Sequence, residues 1–378
     1  MGNITRFSEL NQQLAVSRTE KAQAKFDLLI TSVLLDAGAG ANWCYREAET
    51  GEVWQRLEGL AVASFRMFCQ GAFSSNLDYP LQADAGGLQA LTTTTLAEGF
   101  QVSPVNPLVG LEGRVKLLQR LVEVIAQHPH MFGTLNPRPG KLANYLFGKR
   151  DRNFSLSATE VLKAVLEGLG EIWLGQVTLA GVNLGDVWWH PALPGEHFCN
   201  QYVPFHKLFQ WLTYSLLESL EELGLTLTGL EELTGLPEYR NSGLCLDSGL
   251  LQLKQPSILQ THHLPGSEVI VEWRALTVSL LDQIAATIRQ KLDLSAAQLP
   301  LVKVLQGGTW SAGRHLAAQL REDGFPLLQI ESDGTVFLKT KPRRFAPNSK
   351  CKIHALELPI FNCLICLLLY IALHQKHR

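Results

Sequence analysis

Leu236-Pro237-Glu238-Tyr239-Arg240-Asn241 sets a carboxylate directly beside a tyrosine and an arginine in a loop that starts with proline, and Asp247 follows downstream. These residue types suit the cleavage of a glycosidic or N-glycosidic bond. That reaction passes through a cation-like sugar, which a nearby carboxylate stabilises or captures, while a second acid can protonate the leaving group. Glu238 and Asp247 are therefore the candidate catalytic residues, Glu238 as nucleophile or cation stabiliser and Asp247 as acid. Their separation along the chain does not set their distance in space.

Three other segments embed polar chemistry in apolar surroundings, where a charge is costly unless it is paired or used. They are Gly40-Ala41-Asn42-Trp43-Cys44-Tyr45-Arg46-Glu47, Val271-Glu272-Trp273-Arg274-Ala275 and Leu305-Gln306-Gly307-Gly308-Thr309-Trp310. The paired glycines of the last let backbone approach a ligand or another helix closely. The candidate substrate-binding residues are Trp43, Tyr239, Arg240, Glu272, Arg274, Gln306 and Trp310. Trp43 and Tyr239 offer flat faces to a planar leaving group. Arg240 and Arg274 can hold a sugar, or a 5′-phosphate on it, through forked hydrogen bonds. Glu272 is an alternative acid, or a support for it.

Each assignment has a structural counterpart. Glu272 and Arg274 are two residues apart and do not face each other on a helix, so each needs a partner elsewhere. Buried ion pairs that only hold helices together leave the same trace in sequence. Trp43, Trp273 and Trp310 fit a core as well as a ligand platform. Asp186, Trp188 and His190 fit either a polar pocket edge or a capped turn.

Other chemistries find less support. GxSxG, P-loop, HExxH and GxGxxG patterns are absent. The adjacent His262-His263 side chains point different ways in any regular element. Cys363 and Cys366 form a lone CxxC without the second ligand pair that a zinc site needs. The expectation is that neither metal nor cofactor takes part.

The elements that must position these residues are mostly helices. Ser17 and Glu20 form a capping box, followed by an apolar stripe at Phe26, Leu29, Ile30, Val33 and Leu34 and a stop at Gly38 and Gly40. Helices are expected over Glu58–Gln70, Leu111–Gln127, Ser157–Leu169, Phe205–Leu223, Val271–Leu292 and Leu301–Arg321, with a second capping box at Ser157 and Glu160. Hairpins are expected at Leu244–Leu253, turning at Asp247-Ser248-Gly249, and at Leu327–Leu338, turning at Ser332-Asp333-Gly334. The expected fold is mainly α: a single large helical domain over residues 1–337 with one or two short β-hairpins.

Composition narrows the partners. The chain has 378 residues, 46% hydrophobic and 18% charged, with a formal net charge of −2, enough to bury a core without disulfides. That charge, with no dense basic run before residue 339, disfavours nucleic acid. Cys44, Cys69, Cys199 and Cys245 show no framework spacing, and the first residues carry no apolar signal segment, so a cytoplasmic location is expected. Residues 338–378 form a basic, then apolar tail. Its run from Leu358 to Leu373 is shorter than the ~20 residues that comfortably span a bilayer. Membrane contact, if any, is expected through this tail alone.

The stretches SRTEKAQAKFDLLITSVLLDAGAGANW, EGLAVASFRMF, FQVSPVNPLVGLEGR, VPFHKLFQWLTYSL, LTGLPEYRNSGL, VEWRALTVSLLD, VLQGGTWSAGR and SDGTVF resemble, in order, the uracil catabolism protein 4 family, long classed as a domain of unknown function. The resemblance runs from Ser17 to Phe337 and stops short of the tail. It implies a role in uracil catabolism, on a ribosyl-urea-type intermediate whose C–N glycosidic bond is split. More distantly, Glu238-Tyr239-Arg240, Glu272-Trp273-Arg274 and Gln306 to Trp310 resemble segments of the queuosine salvage N-glycoside hydrolases, whose helical fold is like that of DNA glycosylases. Glutamate replaces that family's catalytic aspartate, and Gln306 stands where it has an acid.

Two functions follow as expectations. One is an N-glycoside hydrolase acting on a small ribosylated substrate. The other is a non-catalytic helical scaffold or sensor of the uracil catabolic pathway. A ring-opening amidohydrolase ranks last, since it needs a metal cluster or an activated nucleophile that the sequence does not offer.

Overall fold

Ser17 starts the first long helix as its spacing predicts: its hydroxyl accepts the Glu20 amide, and helix follows to Leu35. In the computed structural model, residues 6–36, 38–40, 42–173, 175, 177–179, 181–193, 198–331 and 353–355 are described. Among these the chain is mainly α, and every strand is two or three residues long, paired in a two-stranded sheet. Short strands cannot bury an apolar face by themselves, so helices carry the core. The contacts cluster into two units.

The first unit comprises residues 6–173 and 212–228. Its helices are α1 (Arg6–Gln13), α2 (Arg18–Leu35), α3 (Arg56–Cys69), α4 (Ala85–Ala90), α5 (Thr93–Gly99), α6 (Leu111–Gln127), α7 (Pro129–Phe132), α8 (Leu142–Gly148) and α9 (Ala158–Leu169). Helix α2 is central and packs on α3, α6 and α8. It is buried well beyond its apolar stripe, so Lys25, Asp27 and Thr31 lie inside with Phe26 and Ile30. Their charges are answered: Lys25 pairs with Glu222, and Asp27 accepts from Arg138 Nε at 2.5 Å and the Gly140 amide at 2.6 Å. A Cβ on Gly140 would lie 2.2 Å from the Gln23 carbonyl, and only glycine permits that approach.

The second unit comprises residues 175–211, 229–331 and 353–355. Helix α10 (Lys207–Glu222) begins in it. Then come α11 (Tyr239–Asp247), α12 (Glu268–Leu292), α13 (Leu301–Val304) and α14 (Trp310–Leu320). Helices α11 and α14 pack closely, and α12 lies against α11. The expected helix over Leu301–Arg321 is present but holds a π-turn at Leu305–Thr309. Gly307 and Gly308 fall within it, and such turns fit an extra residue into an α-helix.

The hairpins form elsewhere than expected. Leu244, Cys245 and Leu246 continue the buried side of α11 rather than a strand. Packing a full helical turn there outweighs the turn signal at Asp247-Ser248-Gly249. The chain instead reverses at Gly249, with φ of 74°, into β9 (Leu251–Leu253), which pairs antiparallel with β12 (Ile353–Ala355). Short hairpins join β1 (Cys44–Arg46) to β2 (Val53–Gln55), and β4 (Thr178–Leu179) to β5 (Val182–Asn183). Within the expected hairpin at Leu327–Leu338, Gln329–Ile330 pairs in parallel with His262–His263. Its turn lies outside the described residues, as does most of the tail.

Candidate functional site

Glu238 is the N-cap of α11. Its backbone is extended, with φ −103° and ψ 165°, which turns its side chain back over the first helical turn. Oε1 accepts the Asn241 amide at 2.7 Å, and Oε2 accepts the Arg240 amide at 2.9 Å. Serine, threonine, asparagine and aspartate usually fill this position because a short arm suffices. Here the longer arm engages both oxygens, and each keeps acceptor capacity for another partner. The residue is only 7% exposed. Burial holds the carboxyl above the usual carboxylate range, against the opposing pull of the Arg240 amide, the Lys207 charge, the Asn241 amide and the Arg240 charge.

Arg240 follows within the same turn and is 3% exposed. Its guanidinium lies 4.6 Å from the Trp310 ring centre and 5.2 Å from that of Tyr239. Among the described residues its Nε and Nη2 have no hydrogen-bond acceptor. Asn241 Oδ1, Ser242 Oγ and Thr309 Oγ1 are likewise buried without a partner. A buried polar group left unmade costs about 1–3 kcal/mol, which makes this turn the candidate site.

Hydrogen bonds tie this turn to its neighbours. The Trp273 indole of α12 donates to the Ser242 carbonyl at 2.8 Å, and Asn241 Nδ2 donates to the Leu236 carbonyl at 3.0 Å. Gly313 lets α14 approach: a Cβ there would lie 2.3 Å from the Arg240 carbonyl. Between α11 and α14 runs a small cleft whose lining includes Tyr239, Arg240, Asp247 and Arg314.

The structure thus brings Glu238, Tyr239, Arg240 and Trp310 to one place. Asp247 lies at the other end of α11, roughly 13 Å away along the axis at 1.5 Å per residue. Paired catalytic carboxyls of glycosidases stand about 5–9.5 Å apart. Asp247 is also held in the fork of Arg321, at 2.8 and 2.5 Å. Arg274 is similarly occupied: it grips both oxygens of Asp186 at 2.8 and 2.7 Å and stacks 4.1 Å from the Phe205 ring centre. Burial would raise the Asp186 carboxyl, but the Arg274 charge and its hydrogen bonds hold it below the usual range. The Trp188 indole and the Lys207 amide complete the Asp186 shell at 2.6 and 3.1 Å.

Glu272 is buried on α12 next to Trp273, and Gln306 is exposed on the π-turn. Trp43 belongs to the first unit and is a core residue there, 1% exposed, its indole donating to the Phe100 carbonyl at 3.0 Å. Glu47, which closes that polar segment, binds Arg6 and Arg66 at 2.5 and 2.7 Å. Burial would raise its carboxyl, but these partners bring it to about 2. Sequence reasoning missed Arg314, whose place beside Arg240 depends on how α14 packs. Its only sequence trace is the four-residue step from Trp310, which puts both on one face of a helix.

Among the described residues no group of three or more His, Cys, Asp or Glu is arranged to hold a metal ion. No helix among them is long and apolar enough to cross a membrane.

Fold and site together define a mainly helical protein that displays a buried, helix-capping carboxylate beside a buried arginine stacked on aromatic rings. Residues 1–337 match the family described as protein of unknown function (DUF1688), and the chain belongs to that family. It is similar to protein urg3 of Schizosaccharomyces pombe (strain 972 / ATCC 24843), 40% identical over 344 residues that cover 89% of this chain and 82% of the relative. It is also similar to uracil catabolism protein 4 of Lachancea kluyveri, 38% identical over 366 residues, with the same 89% and 82% coverage. The resemblance read from the sequence motifs is borne out.

Proposed function

We propose that this chain serves uracil catabolism, as the name of its Lachancea kluyveri relative says of that protein, and that it hydrolyses the N-glycosidic bond of a ribosyl-urea-type compound. Water enters, and free sugar and urea leave. The observation that carries this reading is the Glu238 carboxylate, buried and pinned by two amides beside Arg240. A fixed negative group in a dry site stabilises a developing sugar cation far better than water does, because nothing must reorient during the reaction. In this reading the remaining acceptor capacity of its oxygens serves the anomeric carbon or the attacking water. Tyr239 and Trp310 frame the sugar and the planar urea.

Asp247, gripped by Arg321 at the far end of the helix, takes a supporting role. Glu272, buried on the helix that pins α11, is the candidate for assisting departure of the urea. The test is release of urea and free sugar from ribosylurea and its 5′-phosphate by wild type and Glu238→Gln. Loss of about a hundredfold or more in turnover, in a variant that stays folded, is the expected result.

A second reading, a non-catalytic member of the same pathway, draws on the fact that Asp247 and Arg274 are fully engaged in ion pairs. No urea release from either compound by well-folded wild type would select it.

A further inference from the structure

We propose that Gln210, with His206 one helical turn before it, reads the ureido group of the substrate and so sets the specificity of the Glu238 site. This rests on the hydrolase reading above and names what the chain recognises in the leaving group: an uncharged N–H donor beside a carbonyl.

Gln210 ends the first turn of α10 and is 6% exposed, its backbone amide donating to the His206 carbonyl at 2.9 Å. Its side-chain oxygen is buried and accepts nothing among the described residues, and His206 Nδ1 is buried without a partner in the same way. A buried amide oxygen without a donor costs free energy that an apolar side chain of similar shape does not. The backbone at His206 is unusual as well. Its φ of 46° is left-handed, a conformation that gathers at binding and catalytic sites when a residue other than glycine holds it. Gly185 leaves room beside the ring: even a Cβ added there would stay 3.9 Å from Nδ1.

Two ties relate this turn to Glu238. Adjacent residues of α12 hold both helix starts, the Trp273 indole through the Ser242 carbonyl of α11 and Arg274 through Asp186. Asp186 in turn accepts the Lys207 amide on Oδ2 at 3.1 Å and the Phe205 amide on its carbonyl at 2.9 Å, which fixes the chain where α10 begins. The second tie is electrostatic. Lys207, between His206 and Gln210, acts on the Glu238 carboxyl with its charge.

The chemistry of the two groups selects the ligand. A glutamine oxygen only accepts, so it calls for an N–H. Burial draws the His206 imidazole below its usual range, against the charge of Asp186, so near pH 7 the ring is neutral and one nitrogen keeps a proton to donate. An acceptor beside a neutral donor matches an uncharged amide edge. A ureido group supplies it, with its terminal NH₂ on Gln210 Oε1 and its carbonyl on His206 Nδ1–H. A site built to bond a substrate N–H rejects an analogue that lacks it, because its own buried group is then left unpaired.

The test is titration calorimetry of the full chain carrying Glu238→Gln, which prevents turnover, with ribosylurea, its terminally dimethylated analogue and uridine. The parent is expected to bind ribosylurea about tenfold or more tightly than the dimethyl analogue, as one hydrogen bond to a buried group implies. Adding Gln210→Met should bring the two ureas within about threefold of each other and leave the melting temperature unchanged, since it removes an unpartnered oxygen. His206→Asn, which tolerates the left-handed backbone, should weaken both ureas severalfold, because both keep the carbonyl. Equal affinity of the parent for the two ureas overturns the proposal, as does discrimination that survives in Gln210→Met or affinity unchanged in His206→Asn. Uridine holds the same pair of groups in a ring, and binding as tight as that of ribosylurea overturns the ureido assignment. A Gln210→Met chain that unfolds or melts several degrees lower makes Gln210 a structural residue and overturns it too.

The two proposals fail separately. Discrimination between the ureas without urea release by wild type sinks the hydrolase reading and leaves this recognition standing. Urea release together with equal binding of the two ureas sinks this recognition alone.

Discussion

At the residue scale, Glu238 combines two jobs that a substitution can separate. As a cap it satisfies the first amides of α11, and as a buried carboxylate it presents negative charge. Glu238→Gln keeps one acceptor oxygen but turns its NH₂ group toward an amide donor. It should therefore cost about 1 kcal/mol of stability, the usual scale of a lost cap, while removing the charge entirely. Urea denaturation of wild type and variant measures the first effect, and the turnover assay measures the second. A stability loss several times larger would mean that the carboxylate is chiefly structural.

Arg274 presents the opposite case. It is fully engaged by Asp186, and both side chains are largely buried. Arg274→Met should leave Asp186 without its counter-charge and destabilise the chain by about 3–5 kcal/mol, read as a lower midpoint of chemical denaturation. A variant as stable as wild type would free Arg274 for the ligand-binding role that its sequence context also allowed.

At the scale of elements, the contact between α11 and α14 positions the site. Gly313 faces the Arg240 carbonyl so closely that alanine would put a methyl 2.3 Å from it. Gly313→Ala should therefore push the helices apart at a cost of about 1–3 kcal/mol, as overpacking does. Because Trp310 and Arg240 ride on these two helices, their stacking should loosen as well. Thermal denaturation reports the first consequence, and a shift in tryptophan fluorescence reports the second. Unchanged stability would show that the helices slide to accommodate the methyl. The π-turn before α14 belongs to the same argument: it re-phases the helix, and Trp310 begins the segment behind it.

At the scale of the whole molecule, Asp27 links stability to pH. Burial outweighs the Arg138 charge and the hydrogen bonds from Arg138 and the Gly140 amide, and pushes this carboxyl up to about 7. Its folded value lies above its unfolded one, so the folded state holds more protons between them. The contribution is fully present below about pH 4 and is lost as pH rises through about 7. Wild type should therefore lose stability relative to Asp27→Asn between pH 5 and pH 8, as two urea titrations of each would show. Parallel pH dependences would refute the assignment.

The chain itself determined its helices. The capping boxes at Ser17 and Ser157, the apolar stripes and the glycine stops are local signals, and a helix closes its hydrogen bonds within a few residues. The four polar segments were legible for a related reason: charges among apolar residues stand out wherever the chain goes. What those charges do was not legible. Arg240 and Arg274 look alike in sequence, yet Arg274 forms a forked ion pair with Asp186, while Arg240 stacks on the Tyr239 and Trp310 rings. Asp247 looked as available as Glu238 until α11 replaced the expected hairpin, separating the two along its axis and handing Asp247 to Arg321. These outcomes depend on which distant residue arrives beside each charge, and tertiary packing alone brings those partners together.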